Sequence, residues 1–90
     1  MNTTIVKRHR KVEPYDEIKL MRGIYAACLA VRTPAGEAEL TAKRVAKDLL
    51  PWLQKKQEVT SHDIRSRAGQ LLHTYNPHAA YIYKHHGTVH

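Results

Sequence analysis

Read for hydrophobic and polar alternation, the chain divides into a short extended front and a longer helical remainder. Ile5 and Val6, with β-branched Thr4, predict a strand over 4–7, and 12–15 predicts its partner, with Pro14 suited to a strand end or an edge. The linking Arg8-His9-Arg10-Lys11 has neither Gly nor Asn, unlike the usual two-residue hairpin turn. From Leu20 the apolar positions fall at helical spacing through Ile24, Ala27, Cys28 and Val31, behind Asp16 as N-cap and Glu17 in the first turn. Gly23 inside that run points to close packing. Thr33 before Pro34 predicts an N-cap with proline at the first helical position. Ala38, Ala42, Val45, Leu49 and Trp52 then mark a second helix, which Pro51 should kink or end near Leu50.

Glu58 to Ser61 predicts a brief extended segment and a third strand. Thr60 followed by Asp63 has the spacing of a capping box. Ile64, Ala68, Leu71, Leu72 and Tyr75 carry a third helix, and Asn76-Pro77 breaks it and opens a fourth through Ala79, Ala80, Ile82 and Tyr83. The order β-β-α-α-β-α-α predicts an α+β fold: a small four-helix bundle covered by a hairpin or three-stranded sheet. Ninety residues make one domain over 1–90, with 1–3 and 86–90 as flexible ends.

Composition narrows the class. The single Cys28 leaves no intrachain disulfide and reads as a small buried hydrophobe in a reducing, cytoplasmic compartment. No stretch has the length or apolarity of a membrane span or a signal peptide. Met1 opens the chain, which favours a complete small protein over an excised domain. Fifteen Lys and Arg against eight Asp and Glu give a net charge of +7, which favours an anionic partner without choosing one.

Lys7, Arg8, His9, Arg10 and Lys11 concentrate that charge, and the bland alternative is a solvated turn. Beside them stand Glu13 and Asp16, acceptors suited to ribose hydroxyls, a base amino group or Mg²⁺, and Lys19 at a helix start, where free N–H groups suit phosphate. Cations for phosphate beside acceptors for a nucleoside form a nucleotide-site inventory. A basic nucleic-acid-binding module is the competing reading, but no helix carries a sustained cationic face and no strand carries base-stacking aromatics. His85, His86 and His90 invite a metal hypothesis, against which the Gly87-Thr88 tail provides no rigid frame. Trp52, Tyr75, Tyr81 and Tyr83 read as core or interface, and no Gly-rich phosphate loop or water-activating group suggests an enzyme.

Val6-Lys7-Arg8, Glu13-Pro14-Tyr15-Asp16 with Lys19, Val59-Thr60-Ser61 leading into Asp63-Ile64-Arg65, and Ala79-Ala80-Tyr81 together resemble the ATP-cone domain over 5–85. That module is found in ribonucleotide reductases and in the repressor of their genes. The resemblance implies a three-stranded mixed sheet over a four-helix bundle, which binds ATP or dATP, with Mg²⁺, and switches oligomeric state. It implies a regulatory role toward a ribonucleotide reductase or its transcription, with a homo-oligomer as one means. By position it implies a nucleotide site of Val6, Lys7, Arg8, Glu13, Tyr15, Asp16, Lys19, Thr60, Ser61 and Arg65. In that site Lys7 and Arg8 meet phosphates and Glu13 the nucleoside. Tyr15, Asp16 and Lys19 form the wall, while Thr60 and Arg65 close the phosphate side. His9-Arg10 departs from the family's usual Asp-Gly turn.

Overall fold

A computed structural model describes residues 5–8 and 11–85. Strands β1 (Ile5–Arg8) and β2 (Lys11–Pro14) precede helices α1 (Glu17–Ala30) and α2 (Ala35–Gln54). The short strand β3 (Glu58–Thr60) then leads directly into α3 (Ser61–Tyr75), followed by α4 (Pro77–His85). The sheet order is β2-β1-β3, with β1 antiparallel to β2 and parallel to β3. The Arg8↔Lys11 pair leaves a connection of two residues. The expected flexible ends, the strand start at Thr4, the turn at His9-Arg10, and His86 and His90 lie outside the described residues.

One core holds the layers together. Val6 and Val59 point inward from paired positions on neighbouring strands and join Leu20, Ile24, Val45, Leu49, Ile64, Leu72 and Tyr83. Ile24, Cys28, Val45, Leu49 and Leu72 are the largest side chains wholly enclosed. Helix α1 packs on α2 and α4, and α3 packs on α4, α2 and the inner strands. Because strand side chains alternate between faces, burying Val6 sends Lys7 to the outer face of the sheet. There its Nζ lies 3.0 Å from a Glu58 carboxylate oxygen.

The caps explain the boundaries. Asp16 accepts a hydrogen bond from the Lys19 backbone N–H at 3.2 Å and starts α1. At its far end the N–H groups of Arg32 and Thr33 donate to Leu29 and Cys28 carbonyls at 2.9 and 3.0 Å, a Schellman closure. That closure holds Arg32 at φ 63°, where glycine is the usual occupant. Thr60 and Asp63 form the reciprocal capping box of α3, at 3.0 and 3.2 Å. Asn76 Oδ1 accepts from the Ala79 N–H at 3.1 Å and starts α4.

One expectation is corrected and two are narrowed. Thr33 does not cap α2: its Oγ1 accepts from Asn76 Nδ2 at 2.9 Å, and Pro34 takes the N-cap position with no side-chain bond. The threonine hydroxyl instead ties the α1–α2 link to the start of α4. Of the kink or end expected at Pro51, the end near Leu50 is ruled out: α2 continues through the proline to Gln54. Buried Leu49 and Leu53 and half-buried Trp52 anchor both sides of the proline, so packing outweighs one missing backbone bond. Of the core or interface expected for Tyr75 and Tyr81, the core is ruled out, since both are exposed. Tyr81 lies opposite the buried Ala79, Ala80 and Tyr83 face and stacks on His85 with ring centroids 4.2 Å apart, while the Tyr75 hydroxyl donates to Asp48.

Candidate functional site

The hairpin, the start of α1 and the start of α3 enclose a hollow of about 90 Å³. Val6, Pro14, Tyr15, Leu20, Gly23, Ile64 and Tyr83 supply its carbon surface, and Glu13, Asp16, Lys19, Ser61 and Arg65 supply polar and charged groups. Pockets for whole drug-sized ligands run from ~300 Å³ upward. A hollow this small encloses one ring system and leaves the rest of a larger ligand at the rim.

Local sequence explains the convergence. Val6 and Glu13 are cross-strand partners, so the buried valine and the carboxylate share the face turned toward the helices. Only Tyr15 and Asp16 separate β2 from α1, so the chain turns from strand to helix within the wall itself. Strand β3 passes into α3 without a loop, and the parallel pairing of Lys7 with Thr60 sets the first turn of α3 beside the hairpin. Ser61 and Arg65, four residues apart, present one side of α3 to the hollow.

Charge is mixed. The Lys19 ammonium stands 3.8 Å from a Glu13 carboxylate oxygen, with both side chains about half exposed, a loose pair that solvent screens. Burial, then the negative charge of Glu17, then Tyr83 and Asp16 push the Tyr15 phenol well above its ordinary pKa. Its hydroxyl is buried and has no hydrogen-bond partner among the described residues. Burial raises Tyr83 to about 12, with the Arg65 guanidinium acting in the opposite direction. Both phenols are therefore neutral at physiological pH. Asp63 is held below the usual carboxylate range by the Thr60 backbone N–H and then by the Thr60 side chain.

Of the site residues named from sequence, Val6, Glu13, Tyr15, Asp16, Lys19, Ser61 and Arg65 line the hollow together. Lys7 and Thr60 are not in that wall: Lys7 is paired with Glu58 on the outer face, and the Thr60 hydroxyl caps α3. Arg8 holds its place in β1, and its side chain lies outside the described residues. Pro14, Leu20, Gly23, Ile64 and Tyr83 complete the lining without having been named as site residues. The signal of Leu20, Ile64 and Tyr83 in sequence was helical-core periodicity, while Pro14 read as a strand end and Gly23 interrupted the helical pattern. Among the described residues no group of three or more His, Cys, Asp or Glu is placed to hold a metal ion. Nor is any helix long and apolar enough to cross a membrane.

Comparison with known proteins identifies this architecture. The chain matches the ATP cone domain over residues 3–85. Among curated proteins it is 35% identical over 69 residues to the transcriptional repressor NrdR of Thermosynechococcus vestitus, covering 77% of this chain and 41% of that protein. It is 36% identical over 74 residues to the NrdR of Microcystis aeruginosa, covering 80% of this chain and 39% of that protein. The chain thus spans about two fifths of the length of these relatives. No solved structure is significantly similar to it. With sheet, bundle and matched span in agreement, the chain belongs to the ATP cone family of nucleotide-binding regulatory domains.

Proposed function

We propose that the hollow binds the adenosine part of ATP or dATP and that the bound nucleotide regulates assembly, with ribonucleotide reduction or its transcription as the controlled process. One observation carries the reading: a carbon-lined hollow of ring size opens between the first turns of two helices, with Lys19 and Arg65 in its wall. A base enters the apolar interior between Val6, Tyr15, Leu20 and Tyr83. Glu13 and Asp16 accept from ribose or base N–H and O–H groups. The phosphates lie outward along Lys19, Arg65 and the first N–H groups of α3, where the helix dipole favours anions. Lys7 reaches them only by leaving Glu58.

The energetics suffice. Charge-assisted hydrogen bonds contribute about 1.5–3 kcal/mol each, and micromolar affinity needs about 8 kcal/mol. Three such bonds with burial of the base reach that range after ordering costs. In this reading the activity is binding of the nucleotide. Mg²⁺ would enter with the nucleotide, held mainly by its phosphates. The similarity to NrdR repressors supports a regulatory role in gene control. By linkage, the nucleotide shifts assembly only by its difference in affinity for the two states.

Calorimetric titration with ATP, dATP and GTP in Mg²⁺ tests the reading. Micromolar binding of the adenine nucleotides is expected, with a loss of about tenfold or more for Arg65→Ala or Lys19→Ala. Undiminished binding by both variants would overturn the site. A basic nucleic-acid module would instead show DNA affinity that falls steeply with salt.

A further inference from the structure

We infer that β2 is an interaction edge for a second copy of this chain, the two strands pairing antiparallel about a two-fold axis at Val12. The Ile5 N–H donates to the Gln57 carbonyl at 3.1 Å, so Ile5 and Lys7 turn their backbone groups toward β3, and Val6 and Arg8 turn theirs toward β2. In the observed register Glu13 and Lys11 answer Val6 and Arg8. The backbone groups of Val12 and Pro14 therefore face outward from the edge. Pro14 has no N–H to leave unpaired, so the open edge offers the Val12 N–H as its donor and the Val12 and Pro14 C=O groups as its acceptors. All four β2 residues are exposed, Val12 by 61%.

The edge is complementary to itself. Centred on Val12, an antiparallel copy sets Lys11 against Glu13 and Glu13 against Lys11, while the two valines meet and exchange both backbone bonds. Opposite charges directly across an antiparallel pair attract, and like charges repel. A slip by one residue in either direction removes both pairings. Lysine and proline on an edge discourage indiscriminate pairing, and here the same residues leave one register open. The contact is isologous, as two-fold interfaces must be. Lys11 lies on the same face of β2 as Glu13, so each copy delivers its Lys11 beside the other's Glu13, at the rim of the hollow. Four residues of edge bury far less than the ~1,200 Å² of a stable interface, and two copies of charge +7 repel. The pairing is therefore weak and transient, suited to control by whatever neutralises charge nearby.

Covalent trapping reads such a contact. Hydrogen-bonded antiparallel partners have Cα atoms about 5.5 Å apart, within disulfide range. Cys28, the single natural cysteine, is buried. Under mild oxidation without nucleotide, so that the outcome does not depend on what the hollow binds, Val12→Cys should form a disulfide-linked dimer. It should do so faster than Leu40→Cys, an exposed control on α2. In the Val12→Cys background, Lys11→Glu or Glu13→Lys alone should slow trapping about tenfold, and the two together should restore it, because the swap regenerates both attractive pairs. Trapping no faster than the control, or a double swap that fails to restore it, would overturn the inference.

Discussion

Replacing Tyr15 by phenylalanine removes one oxygen from the wall of the hollow and nothing else. That oxygen is buried without a hydrogen-bond partner among the described residues. An unsatisfied buried hydroxyl costs about 1–3 kcal/mol, because it has surrendered its bonds to water and gained none. Phenylalanine keeps the ring and leaves no cavity, so Tyr15→Phe should stabilise the protein by about 1 kcal/mol, and raise the melting temperature by about 5 °C. Had the hydroxyl a good partner, the same change would instead destabilise by about 0.5–1.5 kcal/mol. Urea unfolding followed by circular dichroism decides the sign, with the m-value unchanged if the folded state keeps its shape. Because the oxygen is buried, a ligand in the hollow meets the ring, and ATP affinity should be retained. A phenylalanine variant less stable by 1 kcal/mol or more would refute the reasoning, since it would mean the oxygen is satisfied after all.

Other outcomes follow from single residues. Arg32→Gly should stabilise by about 0.5–1 kcal/mol in equilibrium denaturation, since Arg32 at φ 63° occupies a conformation that costs a residue bearing Cβ. Thr60→Ala should cost about 1 kcal/mol by removing the α3 cap. The Asp63 pKa is lowered in the fold, so its contribution is present above the ordinary carboxylate range and is lost as pH falls through the lowered value. Asp63→Asn should therefore flatten the acid limb of the stability–pH curve. Tyr83 titrates in the opposite sense: raised to about 12, it contributes stability below the ordinary phenol value of 10.0 that disappears as pH climbs toward 12. Tyr83→Phe should lose less stability than the natural protein across that alkaline window.

Features set by neighbours along the chain were legible in the sequence. Asp16, the Thr60–Asp63 box and Asn76-Pro77 each mark a helix start through contacts spanning three residues. The apolar periodicities of α1, α2 and α3 identified Ile24, Cys28, Val45, Leu49, Ala68 and Leu72 as core. Features decided by distant partners were not. Thr33 has the sequence of a cap, but Asn76, forty-three positions away, takes its hydroxyl. Pro51 has the sequence of a helix kink or end, and the packing of Leu53, which no local pattern shows, decides against the end. The site divides in the same way. Glu13, Asp16 and Lys19 stand close together along the chain, and the resemblance brought Ser61 and Arg65 to them. Which face Lys7 occupies depends on burying Val6 against Val59 of β3, and the pairing of Lys7 with Glu58 across strands has no local signature. Tyr83 read as core or interface and not as a site residue, because the hollow reaches the edge of that core.

Backbone amide shifts recorded as ATP is titrated into the isotopically labelled protein test the central claim most directly. Changes should gather at Val6, at 13–23, at Ser61 to Arg65 and at Tyr83, saturate together with a micromolar midpoint, and leave the middle of α2 still. Shifts centred on α2, or none at saturating ATP, would contradict a nucleotide site between the hairpin and the first turns of α1 and α3.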